Sequence, residues 1–229
     1  MTIYKNISDT GQLISEPTRM TMLMNLSSMN SLTAGELARA SNISPQTASA
    51  HLQKLLNGNL IIERRQGRHK YYELYNEDVA KALESIANIS GPLVSKSLNQ
   101  STYKQKLEFA RTCYGHIAGK LGVMITNALI NKGYLVEQHN EYYQLTDAGK
   151  QWCKRLDITI NQLNIRPEVL PMHIDWTVRQ NHLAGPLSLA ITQQFIQREW
   201  LKYGKLKRAI LVTSKGKEAL CKELDICDL

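Results

Sequence analysis

The spacing of apolar residues changes character twice in the stretch from Leu32 to Leu74. A short helical stripe comes first, at Leu32, Leu37 and Ala38, and residues 41–43 interrupt it with side chains that favour turns. A second helical stripe follows, and two runs of β type come after it. This order predicts a helix, a tight turn, a second helix and a β-hairpin.

The second predicted helix has an apolar face and a polar face with almost no charge. Ser44 can cap its first turn, and Pro45 suits the first helical position because no backbone N–H is needed there. The inward positions are Ala48, Leu52, Leu55 and Leu56, and the outward positions are Gln46, Thr47, Ser49, Ala50, His51 and Gln53. A face of this kind can lie in a major groove and contact the edges of bases.

A basic hairpin follows this helix. We expect the helix to end at residues 57–59 in a left-handed exit at Gly58. Two β-type runs, 60–62 and 71–74, flank a glycine-containing tip and predict a β wing. The cations of the wing are Arg64, Arg65, Arg68 and Lys70. Cations on such a wing are suited to contacts with DNA phosphates.

The whole stretch therefore predicts binding to double-stranded DNA. An ordinary helical hairpin explains two helices, but not the cap, the exit and the basic hairpin at this spacing. DNA compaction is disfavoured because the reading helix is polar rather than rich in Lys. The predicted DNA-binding residues are Ser44, Pro45, Gln46, Thr47, Ser49, Ala50, His51, Gln53, Lys54, Arg64, Arg65, Arg68 and Lys70.

Three motifs carry a resemblance to a known family. Residues 44–55 read S-x-x-T-A-S-x-H-L-x-x-L, residues 58–74 read G-x-L-I-x-x-R-R-x-G-R-x-x-Y-Y-x-L, and residues 14–26 read I-S-E-P-T-R-M-x-M-L-x-x-L. Over about the first ninety residues the chain resembles the ArsR/SmtB winged-helix regulators. The resemblance implies a homodimer on a twofold-related operator, usually a repressor that a signal releases.

The usual metal sites of that family are absent from this sequence. The first helix of the motif has no Cys-x-Cys pair, and the helix expected after the wing, residues 76–89, has no ligands at metal spacing. In the family the helix before the motif and the helix after the wing pair across the dimer. The apolar stripe after the wing is equally compatible with packing inside one chain. Any sensing is therefore expected in the second half.

Composition narrows the class of protein and its expected partners. The chain has 229 residues and a net charge of +8, which favours an anionic partner. Four cysteines without paired spacing predict neither a disulfide framework nor a zinc knuckle. No apolar run is long enough to span a bilayer, so we expect a soluble cytoplasmic protein without a membrane partner.

The expected fold class is mainly α with small β-hairpins (α+β). Residues 1–13 form a short polar lead, and a helix with an apolar face begins at 16–18. Gly91 and the polar stretch 95–103 mark a boundary, which a helix at 93–98 can bridge. We assign residues 1–94 to a winged helix-turn-helix DNA-binding and dimerisation domain, and residues 95–229 to an effector-binding domain.

The second half contains an internal repeat. Segments 116–121 and 182–187 read H-I-A-G-K-L and H-L-A-G-P-L, and segments 153–158 and 221–226 read C-K-R-L-D-I and C-K-E-L-D-I. The period of about 66 residues indicates one duplicated unit rather than a solenoid. Each copy is predicted to read helix, β-hairpin, helix, and Thr146 and Thr213 are expected to cap the last helices. Two copies about a pseudo-twofold axis would leave a ligand cleft between them.

The chemically capable residues cluster at two elements of this repeat. Residues 113–122 and 175–185 resemble the elements C-Y-x-H-[IL]-A-G-x-L-G and D-W-T-x-R-x-x-H-L-A-G of a longer ArsR-like subgroup, which usually has Cys where this chain has His173. The candidate effector-binding residues are Cys113, Tyr114, His116, His173, Asp175, Trp176, Arg179 and His182. The candidate metal ligands among them are Cys113, His116, His173 and His182, because Cys113-x-x-His116 has zinc-like spacing.

Three roles remain open for these residues. In the first they are structural: His116 and His182 start helices, and Cys113 is a small buried hydrophobe. In the second they line a pocket for an organic effector, and in the third they bind a metal ion or haem. An enzyme using Cys113 and His116 for thiol chemistry is the alternative class, but no catalytic motif supports it. We therefore expect a regulator and not an enzyme.

Overall fold

The computed structural model describes residues 3–27, 31–91, 105–113, 115–139, 141–204 and 209–229. It divides into two compact units, Met1–Ile86 (unit 1) and Ala87–Leu229 (unit 2). Tyr114 and the stretch 92–104, where the sequence predicts the domain boundary and a bridging helix, lie outside the described residues.

Unit 1 has the element order of a winged helix-turn-helix, as predicted. Its elements are α1 (Lys5–Ser15), α2 (Pro17–Leu26), β1 (Leu32–Thr33), α3 (Ala34–Ala40), α4 (Pro45–Asn57), β2 (Ile61–Gln66), β3 (His69–Leu74) and α5 (Glu77–Ile89), which continues into unit 2. The three strands form one antiparallel sheet in the order β1-β3-β2. The prediction of a polar lead at 1–13 was wrong, because α1 occupies most of it.

Local capping explains where the helices of unit 1 begin. Thr33 and Glu36 form a reciprocal capping box at the start of α3. The expected left-handed exit of α4 is displaced by one residue: Gly58 has φ −88°, and Asn59 has φ 53°. Asn tolerates this conformation through local hydrogen bonding, and Gly58 instead lies against the side chain of Leu13.

Unit 2 contains the repeat, with one more element per copy than predicted. The first copy comprises β4 (Arg111–Cys113), β5 (His116–Ala118), α6 (Lys120–Asn131), β6 (Leu135–Gln138), β7 (Tyr142–Leu145) and α7 (Asp147–Arg155). A 3-10 turn at Ile160–Gln162 precedes the second copy, which comprises β8 (Leu170–Ile174), β9 (Asn181–Leu183), α8 (Gly185–Gln197), β10 (Leu201–Tyr203), β11 (Ile210–Val212) and α9 (Ser214–Leu224). The predicted helix, hairpin, helix order is therefore incomplete, because an antiparallel strand pair precedes each copy. The α+β fold class is confirmed.

The two copies exchange their leading strand pairs. Strand β8 of the second copy pairs with β7 of the first and completes the four-stranded sheet β6-β7-β8-β9. In the converse arrangement, a bridge joins Arg111 of β4 to Ala209, just before β11. Strand β5 packs on α8, and β9 packs on α6. Each copy is therefore completed by strands of the other.

A reciprocal pair of hydrogen bonds shows the pseudo-twofold relation directly. The backbone N–H of Ile117 donates to Thr192 Oγ1 (3.0 Å), and that of Leu183 donates to Thr126 Oγ1 (2.9 Å). The acceptors are equivalent positions of the repeat, as are the donors. Both threonines are buried, so these bonds satisfy buried backbone donors at the contact between the copies.

The last helix of each copy begins as the sequence predicts. Thr146 caps α7 by accepting the N–H of Gly149 (3.0 Å), and Thr213 caps α9 by accepting that of Gly216 (2.9 Å). A Cβ at either glycine would collide with a backbone carbonyl oxygen that precedes the hairpin. The repeated Thr-x-x-Gly pattern therefore reflects both a cap and a close approach of the backbone.

The cysteine prediction was wrong at one pair. Cys221 and Cys227 are joined by a disulfide, whereas Cys113 and Cys153 are buried and form no disulfide. The chain reverses after α9 at Asp225, whose φ is 57°, and this turn brings Cys227 back to the helix. Spacing alone does not reveal such a turn. In the described part of the chain, no helix is both long enough and apolar enough to cross a membrane.

Candidate functional site

Helix α4 presents the candidate reading surface. Ser44 Oγ accepts the N–H of Thr47 (3.2 Å) and caps the helix, and Pro45 occupies the first position. Ala48, Leu52 and Leu55 are buried in the core of unit 1. The apolar face predicted from the sequence is therefore the packed face.

Most of the predicted outward side chains of α4 are exposed. They are Gln46, Thr47, Ser49, Ala50 and Gln53, and the predicted DNA-binding residue Lys54 is exposed as well. His51 is the exception: its side chain is 17% exposed, and its Nδ1 lies 3.4 Å from Glu16 Oε2. Position 51 lies three residues after Ala48 and four before Leu55, so it borders the buried face of the helix. The prediction that His51 faces outward was wrong.

Some polar side chains of this face are hydrogen-bonded within the helix, and Gln46 is not. Ser49 Oγ donates to the carbonyl of Pro45 (3.0 Å), and Gln53 Nε2 donates to Asn57 Oδ1 (2.9 Å). The Gln46 side chain makes no hydrogen bond within the residues that the structure describes. Its amide is therefore available to contact a base.

The wing hairpin, β2 and β3, carries both basic and acidic side chains. Arg64 Nε lies 2.8 Å from Glu73 Oε2. Lys70 Nζ and Arg65 Nε lie 3.0 Å and 3.6 Å from the carboxylate oxygens of Glu63. The sequence prediction counted these cations but overlooked the carboxylates that pair with them, Glu73 and Glu63.

Arg68 differs from the other wing cations. It follows Gly67 in the two-residue turn between β2 and β3, where Gly67 has φ 59°. Its side chain has no ion pair with any residue in the described ranges. Arg68 is therefore the wing cation best placed to meet a phosphate.

The four candidate metal ligands come together in unit 2. Cys113 lies directly opposite His116 in the β4-β5 pair, and His173 lies directly opposite His182 in the β8-β9 pair. The prediction that both His116 and His182 start helices was wrong. They lie on strands, and the glycines after them, at positive φ, lead into the helices.

The distances within this Cys/His cluster are short. His116 Nε2 lies 3.2 Å from His182 Nε2. One ligand atom each of Cys113, His116 and His173 lies within 4.8 Å of the other two. Both His116 and His182 are nearly inaccessible to solvent, at 2% and 1% exposure. Burial, reinforced by the neighbouring His182, His173 and Arg111, holds the pKa of His116 well below its ordinary value.

Asp175 belongs to a buried ion pair beside the cluster. Its Oδ2 accepts from Arg111 Nη2 (2.7 Å) and from the N–H of Gly119 (2.6 Å), and its Oδ1 accepts from Thr177 and Val178. Burial alone would raise the pKa of Asp175, but Arg111 and these hydrogen bonds lower it. The Asp175 carboxylate is thus ionised and fully engaged.

Arg111 was not predicted as a site residue, and no local pattern could have identified it. Its guanidinium lies 4.6 Å from the centre of the Trp176 ring, and it also donates to Thr177 Oγ1. Arg179, a candidate for the effector, is exposed and donates to the carbonyl of Ser90 (3.2 Å). Arg111, rather than Arg179, is therefore the cation beside the cluster.

A small cavity lies where the two copies meet. Among the described residues, the cavity where the copies meet encloses about 10 Å³, room for roughly one water molecule. Its lining includes Ile117, Thr126, Leu183 and Ile191. This cavity is too small for an organic ligand.

Comparison with known proteins gives four similarities. A profile of the MarR family matches residues 16–70. The chain is 38% identical over 222 residues to YdfF, an uncharacterized HTH-type transcriptional regulator of Bacillus subtilis (strain 168), and the match covers 96% of this chain and 98% of YdfF. It is 30% identical over 79 residues to YgaV, an HTH-type transcriptional regulator of Escherichia coli (strain K12), covering 34% of this chain and 80% of YgaV. Among solved structures, the homodimeric winged helix-turn-helix domain of Mb0332 from Mycobacterium bovis is 28% identical, with a TM-score of 0.35, over 37% of this chain and 77% of that one.

Proposed function

The chain belongs to the HTH-type transcriptional regulators, the family of YdfF, and from this premise we propose that it is a homodimeric repressor released from its operator by a signal. It is a DNA-binding regulator of transcription. The main support for sequence-specific DNA binding is the exposed face of helix α4, which is short, polar and nearly uncharged. Such a face can enter a major groove and hydrogen-bond to base edges.

The reading helix and the wing are proposed to divide the work of binding DNA. Gln46 and Thr47 lie in the first turn of α4, which reaches bases first in helix-turn-helix proteins. Arg68 at the wing tip contacts phosphates, which supply affinity without sequence information.

Two kinds of substitution test this division. Gln46→Ala or Thr47→Ala should reduce affinity for a duplex selected by the protein from a random pool by about 1–3 kcal/mol. The same changes should leave affinity for random duplex nearly unchanged. Arg68→Ala should weaken binding to both duplexes alike. Equal losses of specific and non-specific binding in the Gln46 and Thr47 variants would show that α4 does not read sequence.

The finer family assignment we propose is the ArsR/SmtB branch. It rests on the reading-helix and wing motifs of residues 44–55 and 58–74. The MarR profile covers the same winged helix, so it supports the fold and not the branch. The resemblance of residues 113–122 and 175–185 to the longer subgroup adds support from unit 2.

The proposed dimer uses apolar surface that one chain leaves exposed. Ile3 and Ile7, at the start of the chain and on α1, are 89% and 70% exposed, and Ile89 at the end of α5 is 88% exposed. A twofold dimer would place two reading helices about one helical turn of DNA apart. A monomeric mass at micromolar concentration, with and without selected duplex, would contradict the dimer.

We propose that residues 1–94 bind DNA and dimerise, and that residues 95–229 sense the signal in the cytoplasm, where the DNA lies. The Cys/His cluster supports this because it gathers donors from both copies of the repeat. The small cavity beside Ile117 and Leu183 is too small for an organic effector. A signal can change operator affinity only if it binds the free and DNA-bound forms differently.

A thiol enzyme is the competing function, because Cys113 and His116 are cross-strand neighbours. Cys113 is 6% exposed, whereas a catalytic thiol needs access and a low pKa. The pH dependence of alkylation distinguishes the two. A Cys113 that reacts rapidly below neutral pH would favour the enzyme, and one that stays inert in the folded protein would favour the regulator.

A further inference from the structure

The pairing of the strands shows that the two copies place metal-ligating residues at equivalent positions, although the 66-residue repeat does not align all of them. Offset by the 66-residue period, His116 matches His182, but Cys113 does not match His173. The strand pairs restore the match, because Cys113 faces His116 and His173 faces His182. Directly opposite residues of an antiparallel pair lie on the same face. Each copy thus contributes one cross-strand pair of metal-ligating side chains.

The spacing of these donors suits a small metal ion. Tetrahedral zinc has Zn–N bonds of about 2.0–2.1 Å and Zn–S bonds of about 2.3 Å, so its ligand atoms lie roughly 3.3–3.8 Å apart. One ligand atom each of Cys113, His116 and His173 lies within 4.8 Å of the other two. Small side-chain rotations would bring these atoms to that separation, and the His173 side chain is only partly buried.

The donor set selects the class of metal. One thiolate and two imidazoles suit zinc and similar borderline ions, whereas magnesium and calcium require oxygen ligands. The nearest carboxylate, Asp175, does not change this preference, because Arg111, Gly119, Thr177 and Val178 occupy both of its oxygens. His182, 3.2 Å from His116, is placed to orient the His116 ring.

We propose that Cys113, His116 and His173 bind one zinc ion per chain, with His182 as a positioning residue. Because the ligands come from the leading strand pairs of both copies, the ion would tie the two halves of unit 2 together. Resting on the proposed function, we further propose that zinc is the signal that alters operator affinity. Metal-free and metal-bound unit 2 would then differ in how they favour the DNA-binding form.

The test is a competition titration of the full chain with Zn²⁺ and a chromophoric chelator. Wild type should bind one equivalent. Cys113→Ser and His173→Asn should lose roughly 100-fold or more in affinity, beyond the ~10–100-fold that loss of an outer-shell partner costs. The matched controls are Cys153→Ser, at the other buried cysteine outside the disulfide, and His139→Asn, at an exposed histidine. The controls should bind zinc like wild type.

Cobalt provides a second readout of the ligand set. A thiolate-to-cobalt charge-transfer band should appear with Co²⁺ in wild type and in Cys153→Ser, and be absent in Cys113→Ser. If Cys113→Ser fails to fold, His173→Asn decides, because His173 is only half-buried. Zinc affinity that survives His173→Asn, or a wild type that binds no better than either ligand variant, overturns the site.

The role of zinc as signal is tested separately, by the affinity of wild type for the selected duplex with and without Zn²⁺. A change of affinity that His173→Asn abolishes supports the role. Zinc binding without any change in operator affinity leaves the site standing and overturns the role as signal. If wild type binds the selected duplex normally but binds no zinc, the zinc site is wrong and the DNA-binding proposal is unaffected.

Discussion

The two units place their polar side chains in opposite ways. In unit 1 most polar groups of α4 and the wing lie on the surface. Of the ten buried polar or charged residues in the described ranges, eight lie in unit 2. Surface groups can be replaced with little cost in stability, whereas buried ones are held by partners that lose their hydrogen bonds when the group is removed. Substitutions of polar surface residues in unit 1 should therefore change DNA binding with little loss of stability, whereas substitutions of buried polar residues in unit 2 should reduce stability.

Two arginine–aspartate pairs offer the sharpest contrast in burial. Arg111 and Asp175 are joined at 2.7 Å with side chains 2% and 0% exposed. Arg198 and Asp157 are joined at the same 2.7 Å with side chains 32% and 80% exposed. Arg111→Met should lower the free energy of unfolding by about 3–5 kcal/mol, because it leaves a buried carboxylate without its cation.

Urea titration followed by tryptophan fluorescence measures this loss, because all three tryptophans lie in unit 2. Arg198→Met is the matched control and should cost less than about 1 kcal/mol. Equal losses for the two variants would contradict the account of the buried pair.

The two reciprocal threonine hydrogen bonds should contribute similar amounts to the free energy of unfolding, because they occupy equivalent positions of the repeat. Thr126→Val and Thr192→Val each leave one buried backbone N–H without its acceptor. Each should cost about 1–3 kcal/mol, by similar amounts. Thr159→Val, at an exposed position whose side chain makes no cap, should change stability by less than about 0.5 kcal/mol. A large loss at one of the paired threonines and none at the other would break the symmetry argument, and the same fluorescence titration measures it.

The smallest expected effect lies on the wing. Arg68→Ala should reduce the slope of log affinity against log salt by about 0.9, the value for one phosphate contact on duplex DNA. Arg64→Ala should reduce it less, because Glu73 already neutralises Arg64. The measurement is the affinity for random duplex between low and moderate salt. A larger change of slope for Arg64 than for Arg68 would show that the ion pair opens on DNA.

Local signals made unit 1 largely predictable. The cap at Ser44, the proline after it and the apolar period of α4 involve neighbours within one or two turns, so they can be read along the chain. The contact of His51 with Glu16 could not be read along the chain, although the position of His51 beside the buried face of α4 indicates its partial burial. The helix α1 was missed because most of its residues are polar and none of them is buried.

Unit 2 was predictable only in outline, because its contacts join residues far apart in sequence. The repeat and the caps at Thr146 and Thr213 followed from the sequence. The exchanged strand pairs and the contact of Arg111 with Asp175, 64 residues later, did not. The candidate ligands were identified by type and spacing, but their register across the strands required the fold.

The most direct test of the division between the units is a hydroxyl-radical footprint on the selected duplex. Wild type should protect two half-sites about one helical turn apart. At the same concentration, and without added metal, His173→Asn should give the same footprint, and Gln46→Ala should lose it. A footprint that survives Gln46→Ala but disappears in a folded His173→Asn variant would contradict the account, because unit 2 would then be reading the DNA.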